Sequence, residues 1–175
     1  MKPIINIADA SRSYTLKHGE RFEMSGAPLA ELLGAKMIGA NLTTVPPGKA
    51  AFPFHHHYAN EEHFFILSGS GTLRTGAETF AVKSGDYIVN TPGGPDHAHQ
   101  LINTGSENLV YLALSTMQSP EVVGYPDSDK TGVRPLPYGA PGGKRYLIQD
   151  ALLEKAEYWD GEDGAQVQAV LNKDK

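Results

Sequence analysis

From Lys36 to Ser115 apolar and polar residues alternate in short runs, and nearly every run ends at a cluster of Gly, Pro, Ser, Asn or Asp. Alternation with a period of two puts successive side chains on opposite faces of an extended strand. The pattern predicts strands at about Lys36–Val45, Phe52–His57, His63–Leu67, Gly71–Arg74, Glu78–Val82, Tyr87–Asn90, Ala98–Ile102 and Leu109–Ser115. Turn signals separate them: Pro46-Pro47-Gly48, Ser68-Gly69-Ser70-Gly71, Thr75-Gly76, Ser84-Gly85-Asp86, Pro92-Gly93-Gly94-Pro95 and Thr104-Gly105-Ser106. About eight short strands at this spacing mean a sandwich or a barrel.

The flanks have a different texture. Residues 1–35 mix a polar stretch with Pro28-Leu-Ala-Glu-Leu-Leu-Gly34, which reads as one or two helical turns. Gly and Pro crowd the segment from Gln118 to Lys144, a composition that suits a linker. Yet Val122, Val123, Tyr125, Leu136 and Tyr138 are spaced through it as apolar anchors, so the expectation is an ordered arm lying on the barrel. Asp150 can cap a short helix through Tyr158, and the tail after Gly164 is expected to fray.

Composition narrows the function classes. A chain of 175 residues suits one domain over its whole length, with a core at about 36–116 and arms at 1–35 and 117–175. The net charge of -5, without a basic cluster, argues against nucleic acid and anionic membrane surfaces as partners. With no cysteine, thiolate ligation of zinc is excluded. No segment is apolar enough for a signal peptide or a bilayer span, so a cytoplasmic location is expected.

The candidate chemistry lies in two clusters. The first runs from Gly48 through His55-His56-His57 to Glu62, and the second from Gly85 through Pro92-Gly-Gly94 to His97, His99 and Asn103. Alternation puts His55 and His57 on one face and His56 on the other. Glu62 can join the two histidines only if the Tyr58-Ala-Asn-Glu turn brings the next strand alongside. His97, His99, Leu101 and Asn103 share a face in their own strand. Imidazoles with a carboxylate suit one divalent transition metal: iron, manganese, zinc, nickel, copper or cobalt. They suit calcium and magnesium poorly, since those ions prefer oxygen. His56 and His63 read as surface or packing residues, Glu61 as solvated, and Asn103 as the anchor of a turn.

These residues resemble the two motifs of the cupin superfamily. The first is Gly, His-x-His, three or four residues, Glu, six residues, Gly; here it reads Gly48, His55, His57, Glu62 and Gly69, with one extra residue before His55. The second is Gly, five residues, Pro-x-Gly, two residues, His, three residues, Asn. Gly85 and Pro92 again enclose one extra residue, and an insertion leaves both His97 and His99 as motif candidates. Strand register set from Asn103 selects His99, because the Pro92-Gly-Gly-Pro-Asp loop can absorb two residues. His97 becomes a supporting residue or the alternative ligand. The run from Pro92 to Asn103, together with Ser119-Pro-Glu-Val-Val-Gly-Tyr-Pro-Asp-Ser128, resembles small single-domain bacterial cupins, some of which carry sugar-phosphate isomerase names.

The resemblance implies an all-β double-stranded β-helix, or jelly-roll barrel, with N- and C-terminal extensions. It implies one divalent metal held by His55, His57, Glu62 and His99. The implied function is metal-dependent chemistry on a small oxygen-bearing molecule such as a sugar phosphate, of isomerase or epimerase type. A dioxygenase or decarboxylase shares the same ligand set, and a non-catalytic sugar- or metabolite-binding module is the rival from another class. A purely structural barrel would fill its interior with apolar side chains. A homodimer is expected, because a jelly roll leaves sheet edges that the two arms could cover.

Overall fold

The computed structural model describes residues 3–11, 13–136 and 142–150. The helix expected from Asp150 to Tyr158, the Tyr138 anchor and the tail after Gly164 lie outside the described residues, Asp150 itself excepted.

Among the described residues thirteen strands follow in chain order: β1 (Tyr14–His18), β2 (Phe22–Ala27), β3 (Ile38–Val45), β4 (His56–His57), β5 (Glu62–Ser68), β6 (Ser70–Thr75), β7 (Glu78–Lys83), β8 (Tyr87–Asn90), β9 (His99–Ile102), β10 (Leu109–Thr116), β11 (Glu121–Tyr125), β12 (Lys130–Arg134) and β13 (Tyr146–Gln149). A short turn of helix, α1 (Leu29–Leu32), falls inside the predicted Pro28–Gly34 segment. One sheet has the order β1-β2-β3-β10-β5-β8. The facing layer is made of β13-β12-β11-β4 and β7-β6-β9. An antiparallel bridge between His55 and His99 joins those two pieces. The two layers enclose a jelly-roll barrel.

Met24, Val45, Phe64, Ile66, Leu73, Val82, Ile88, Leu101, Leu109 and Tyr111 fill the space between the layers. A second apolar cluster lies on the outside of the first sheet. There Ile5, Ile7, Ala10 and Leu29 cover Leu42, Leu67, Val110 and Leu112. This explains why β10 reads Leu-Val-Tyr-Leu-Ala-Leu instead of alternating cleanly: both of its faces are packed.

Two differences from the sequence-based expectation have local causes. The run expected as strand from Phe52 to His57 pairs regularly only at His56–His57, because Pro53 has no N–H to give a ladder. In the N-terminal flank, β1 and β2 form a hairpin whose second strand pairs with β3, so the polar stretch extends the first sheet. In the Gly- and Pro-rich arm, β11 docks on β4 at Val123↔His57 and Gly124↔His56. Of its apolar anchors, Tyr125 is buried, Val122 and Val123 are half-buried, and Leu136 is exposed. Gly69, between β5 and β6, holds a left-handed φ of 81° with its missing Cβ 2.4 Å from the Asn108 carbonyl oxygen; only glycine fits there.

Candidate metal centre

The bridge that joins the two halves of the second layer also builds the site. His55 N–H donates to the His99 carbonyl at 3.2 Å, and His99 N–H donates back at 2.8 Å. Residues directly opposite in an antiparallel pair present their side chains on one face. The two imidazoles therefore lie together, with ring centroids 4.7 Å apart. His57, two residues along, joins them with its ring 5.0 Å from that of His55.

Glu62 arrives from the opposite layer. The Tyr58–Glu61 turn does not lay β5 beside β4 in one sheet; it carries the chain across the barrel. Asn60 anchors this crossing: its Oδ1 accepts from Gln118 N–H at 2.6 Å and from the Thr116 hydroxyl at 3.0 Å. Glu62 then projects from the start of β5, between Ser115 of β10 and Asn90 of β8. Its Oε2 lies 3.0 Å from His99 Nε2, 3.9 Å from His55 Nε2 and 4.0 Å from His57 Nε2.

The four side chains offer one donor atom each, all within 4.8 Å of one another. Donors about 2.1 Å from a shared ion lie roughly 3 to 4.2 Å apart, the range of the three distances to Glu62. The hydrogen bonds fix the ring tautomers. His55 Nδ1 donates to the Pro53 carbonyl at 2.8 Å, and His99 Nδ1 donates to the His97 carbonyl at 3.2 Å. In neutral rings this turns the Nε2 lone pairs inward. A lone pair of His99 Nε2 facing a carboxylate oxygen at 3.0 Å calls for a cation or proton between them. Both ring nitrogens of the half-buried His57 are buried and neither is hydrogen-bonded, and Nδ1 lies 3.8 Å from Glu121. These donors fit a divalent transition metal, and these four residues could hold it.

The electrostatics agree. Burial, together with the neighbouring His99 and His57, lowers the pKa of His55 to about 4 despite the pull of Glu62, so this imidazole is neutral at pH 7. Burial pushes the Glu62 carboxyl up, but the His99 hydrogen bond and the three imidazoles outweigh it and hold the group below its ordinary value. Beneath the site the Tyr111 phenol, buried and close to Glu62, is pushed far up and stays protonated.

The structure brings together His55, His57, Glu62 and His99, and leaves His97 outside. His97 ends a 3-10 turn, Pro95–His97, with its ring against Gly93 and its Nδ1 3.0 Å from the Thr91 hydroxyl; it reaches the cluster through its backbone carbonyl alone. His56 is buried on the far face, with Nδ1 bonded to the Gly93 carbonyl at 2.8 Å. His63 pairs with Glu61 at 2.7 Å, so Glu61 is not simply solvated. Asn103 does tie a turn, donating to the Val45 and Glu107 carbonyls and accepting from Gly105 N–H.

The imidazole cluster opens into a cavity of about 500 Å³. Its wall includes Asn60, Glu121, Tyr125, Lys130 and Arg145, which sequence reasoning did not place at the site. One signal was present: alternation in Glu121-Val-Val-Gly-Tyr125 puts Glu121, Val123 and Tyr125 on one face, and a buried carboxylate on such a face is unusual.

A jelly-roll barrel with an inward cluster of three imidazoles and one carboxylate is the class defined by fold and site together. The chain matches the family model of the Cupin domain over residues 41–115. It is 38% identical over 71 residues to an uncharacterized protein of Methanocaldococcus jannaschii, a match covering 41% of this chain and 54% of that protein. The chain spans about half the length of the curated relatives it matches. Among solved structures, a protein from Acidithiobacillus ferrooxidans provisionally named a sugar phosphate isomerase is 27% identical, covers 77% of this chain and 81% of its own, and has a TM-score of 0.67. A cupin from Silicibacter pomeroyi named a sugar phosphate isomerase is 19% identical, covers 88% and 97%, and has a TM-score of 0.73, which speaks for the fold alone. Among the described residues, no helix is long and apolar enough to cross a membrane.

Proposed function

We propose that the chain is a metal-dependent enzyme acting on a small oxygen-bearing molecule, of the isomerase or epimerase type, with His55, His57, Glu62 and His99 as metal ligands. The observation that carries this reading is the convergence of three Nε2 atoms on Glu62 Oε2, two of the three rings being oriented by backbone carbonyls. A bound divalent ion would supply a Lewis acid that polarises a substrate oxygen. The protein supplies the rest. The cavity above the cluster stands open, so apolar side chains of the described residues do not fill it as a purely structural barrel would require. Glu121 Oε1 accepts from Ala59 N–H at 3.4 Å, while Oε2 has no hydrogen-bond partner, which a ligand hydroxyl would provide. Asn60 holds the crossing turn and so fixes where Glu62 points. The provisional name of the Acidithiobacillus ferrooxidans protein favours isomerisation over oxidation.

The test is elemental analysis of protein purified without a His tag, followed by NMR of sugar phosphates in deuterated buffer. One transition ion per chain, with proton exchange or isomerisation that stops on chelation and returns on reloading, is the expected result. Protein that holds no metal after reloading would overturn the reading. Dioxygen uptake instead of isomerisation would move it to the oxygenase alternative.

A further inference from the structure

The cavity has a second chemical pole. The carboxylates among its described lining residues are Glu62 and Glu121; the cations are Lys130, Arg134 and Arg145. Glu62 is engaged by the imidazoles, and Glu121 stands opposite Arg134 in the β11–β12 register. Lys130 and Arg145 have no acidic partner among the described residues. Instead both lie over the Tyr125 ring, Lys130 Nζ at 5.8 Å and the Arg145 guanidinium carbon at 5.4 Å from its centroid. Lys130 faces Tyr125 directly across the hairpin. Tyr125 also stacks near-parallel on His55, with ring centroids 6.2 Å apart. Partial burial against the wall lowers the Arg145 pKa, with no acid among the described residues to offset it.

We infer that Lys130 and Arg145 form an anion subsite that holds the phosphate of a phosphorylated substrate, with Tyr125 spanning the gap to the imidazole cluster. Two cations match a dianion, and arginine offers a fork of N–H donors for phosphate oxygens. The buried Tyr125 ring sets the spacing between the two poles. Such a ligand is anchored at its phosphate while its oxygens reach the cluster. That the anion belongs to a substrate of the metal centre rests on the function proposed above; the subsite itself does not.

The experiment is calorimetric titration of inorganic phosphate, and separately acetate, into the full chain stripped of metal, at neutral pH and low ionic strength. Phosphate is expected to bind at least about tenfold more tightly than acetate and to weaken with added salt. Lys130→Gln and Arg145→Gln should each weaken phosphate about tenfold or more, Arg145→Lys should restore part of the loss, and Lys83→Gln on the exposed β7 should change nothing. Thermal melts of all variants confirm that they fold. The inference is overturned if wild type does not bind phosphate, if acetate binds as well, or if both glutamine variants bind like wild type. Metal content, measured on the same proteins, separates the two readings. Phosphate binding that depends on Lys130 and Arg145 in a chain that takes up no metal sinks the metal centre and leaves the subsite. Full metal content with unaffected variants does the reverse.

Discussion

The cavity is built from two regions of different construction. Its floor, with His55, His57, Glu62 and His99, hangs on strands whose neighbours on both sides are packed. Its far wall, β11 to β13, comes from a Gly- and Pro-rich segment tied to the barrel at two paired positions of β4. On the floor, His55 and His99 are held by Nδ1 hydrogen bonds to backbone carbonyls, and Glu62 by their Nε2 atoms. On the wall, Lys130 and Arg145 are held by a ring face. Rigid placement is what a metal needs, whereas a long cation on a flexible stem tolerates ligands of different shape. On the proposed reading the fold separates the chemistry, fixed in the barrel, from recognition, carried by an appended sheet.

The largest expected effect falls on the floor. His57→Ala and His99→Ala should each lower metal affinity about a hundredfold or more, while Lys130→Gln leaves metal content unchanged. Elemental analysis after dialysis measures both, and equal metal loss in all three would erase the distinction. His56→Ala should keep the metal but lose a buried hydrogen bond, at a cost of about 1–3 kcal/mol of stability in a urea melt.

The tie between floor and wall can be broken at Gly124. A Cβ there would lie 2.1 Å from His56 Nε2, so Gly124→Ala must displace the His56 ring or push β11 off β4. A loss of about 1–3 kcal/mol is expected, with weaker phosphate binding and retained metal. Unchanged phosphate affinity would mean that the wall does not depend on this joint.

Acid should weaken the floor. His55 has its pKa lowered from 6.5 to about 4 in the folded chain, so its neutral form favours folding. That contribution is complete above about pH 6.5 and is lost as pH falls through about 4. Glu62, lowered from 4.5, acts in the same sense further down. Metal-free protein should therefore melt at lower urea at about pH 4 than at about pH 7, and a midpoint that rises on acidification would contradict the burial of these groups. The smallest effect belongs to His97→Gln: the carbonyl that orients His99 is backbone, so metal content should stay and stability should change by less than about 1 kcal/mol. Loss of the metal in this variant, but not in His99→Gln, would exchange the two residues in the site.

Much of the floor is legible in the chain alone. Alternation in His55-His-His57 sets which imidazoles share a face, and the Gly and Pro breaks mark most of the barrel strands; the expectation that His97 shares a face with His99 fails, because His97 closes a 3-10 turn ahead of β9. Those are local properties, and a strand's period of two survives whatever it pairs with. Pairing is not local. That His55 bridges His99, that Glu62 reaches the cluster from the opposite layer, and that His56 is buried against Gly124 all follow from which strands lie side by side. β1 and β2 carry too weak a pattern to be read as strands, because polar strands gain their order from the neighbour they extend. The wall is the least legible part. Glu121, Tyr125, Lys130 and Arg145 are spread over 25 residues of a segment whose composition suits a linker, and they meet only once three strands stack in register. The chain by itself determined the donor set and the faces on which the donors stand; tertiary pairing alone decided that they share one cavity with a pair of cations, because backbone hydrogen bonds between distant strands carry no signature in the residues they join.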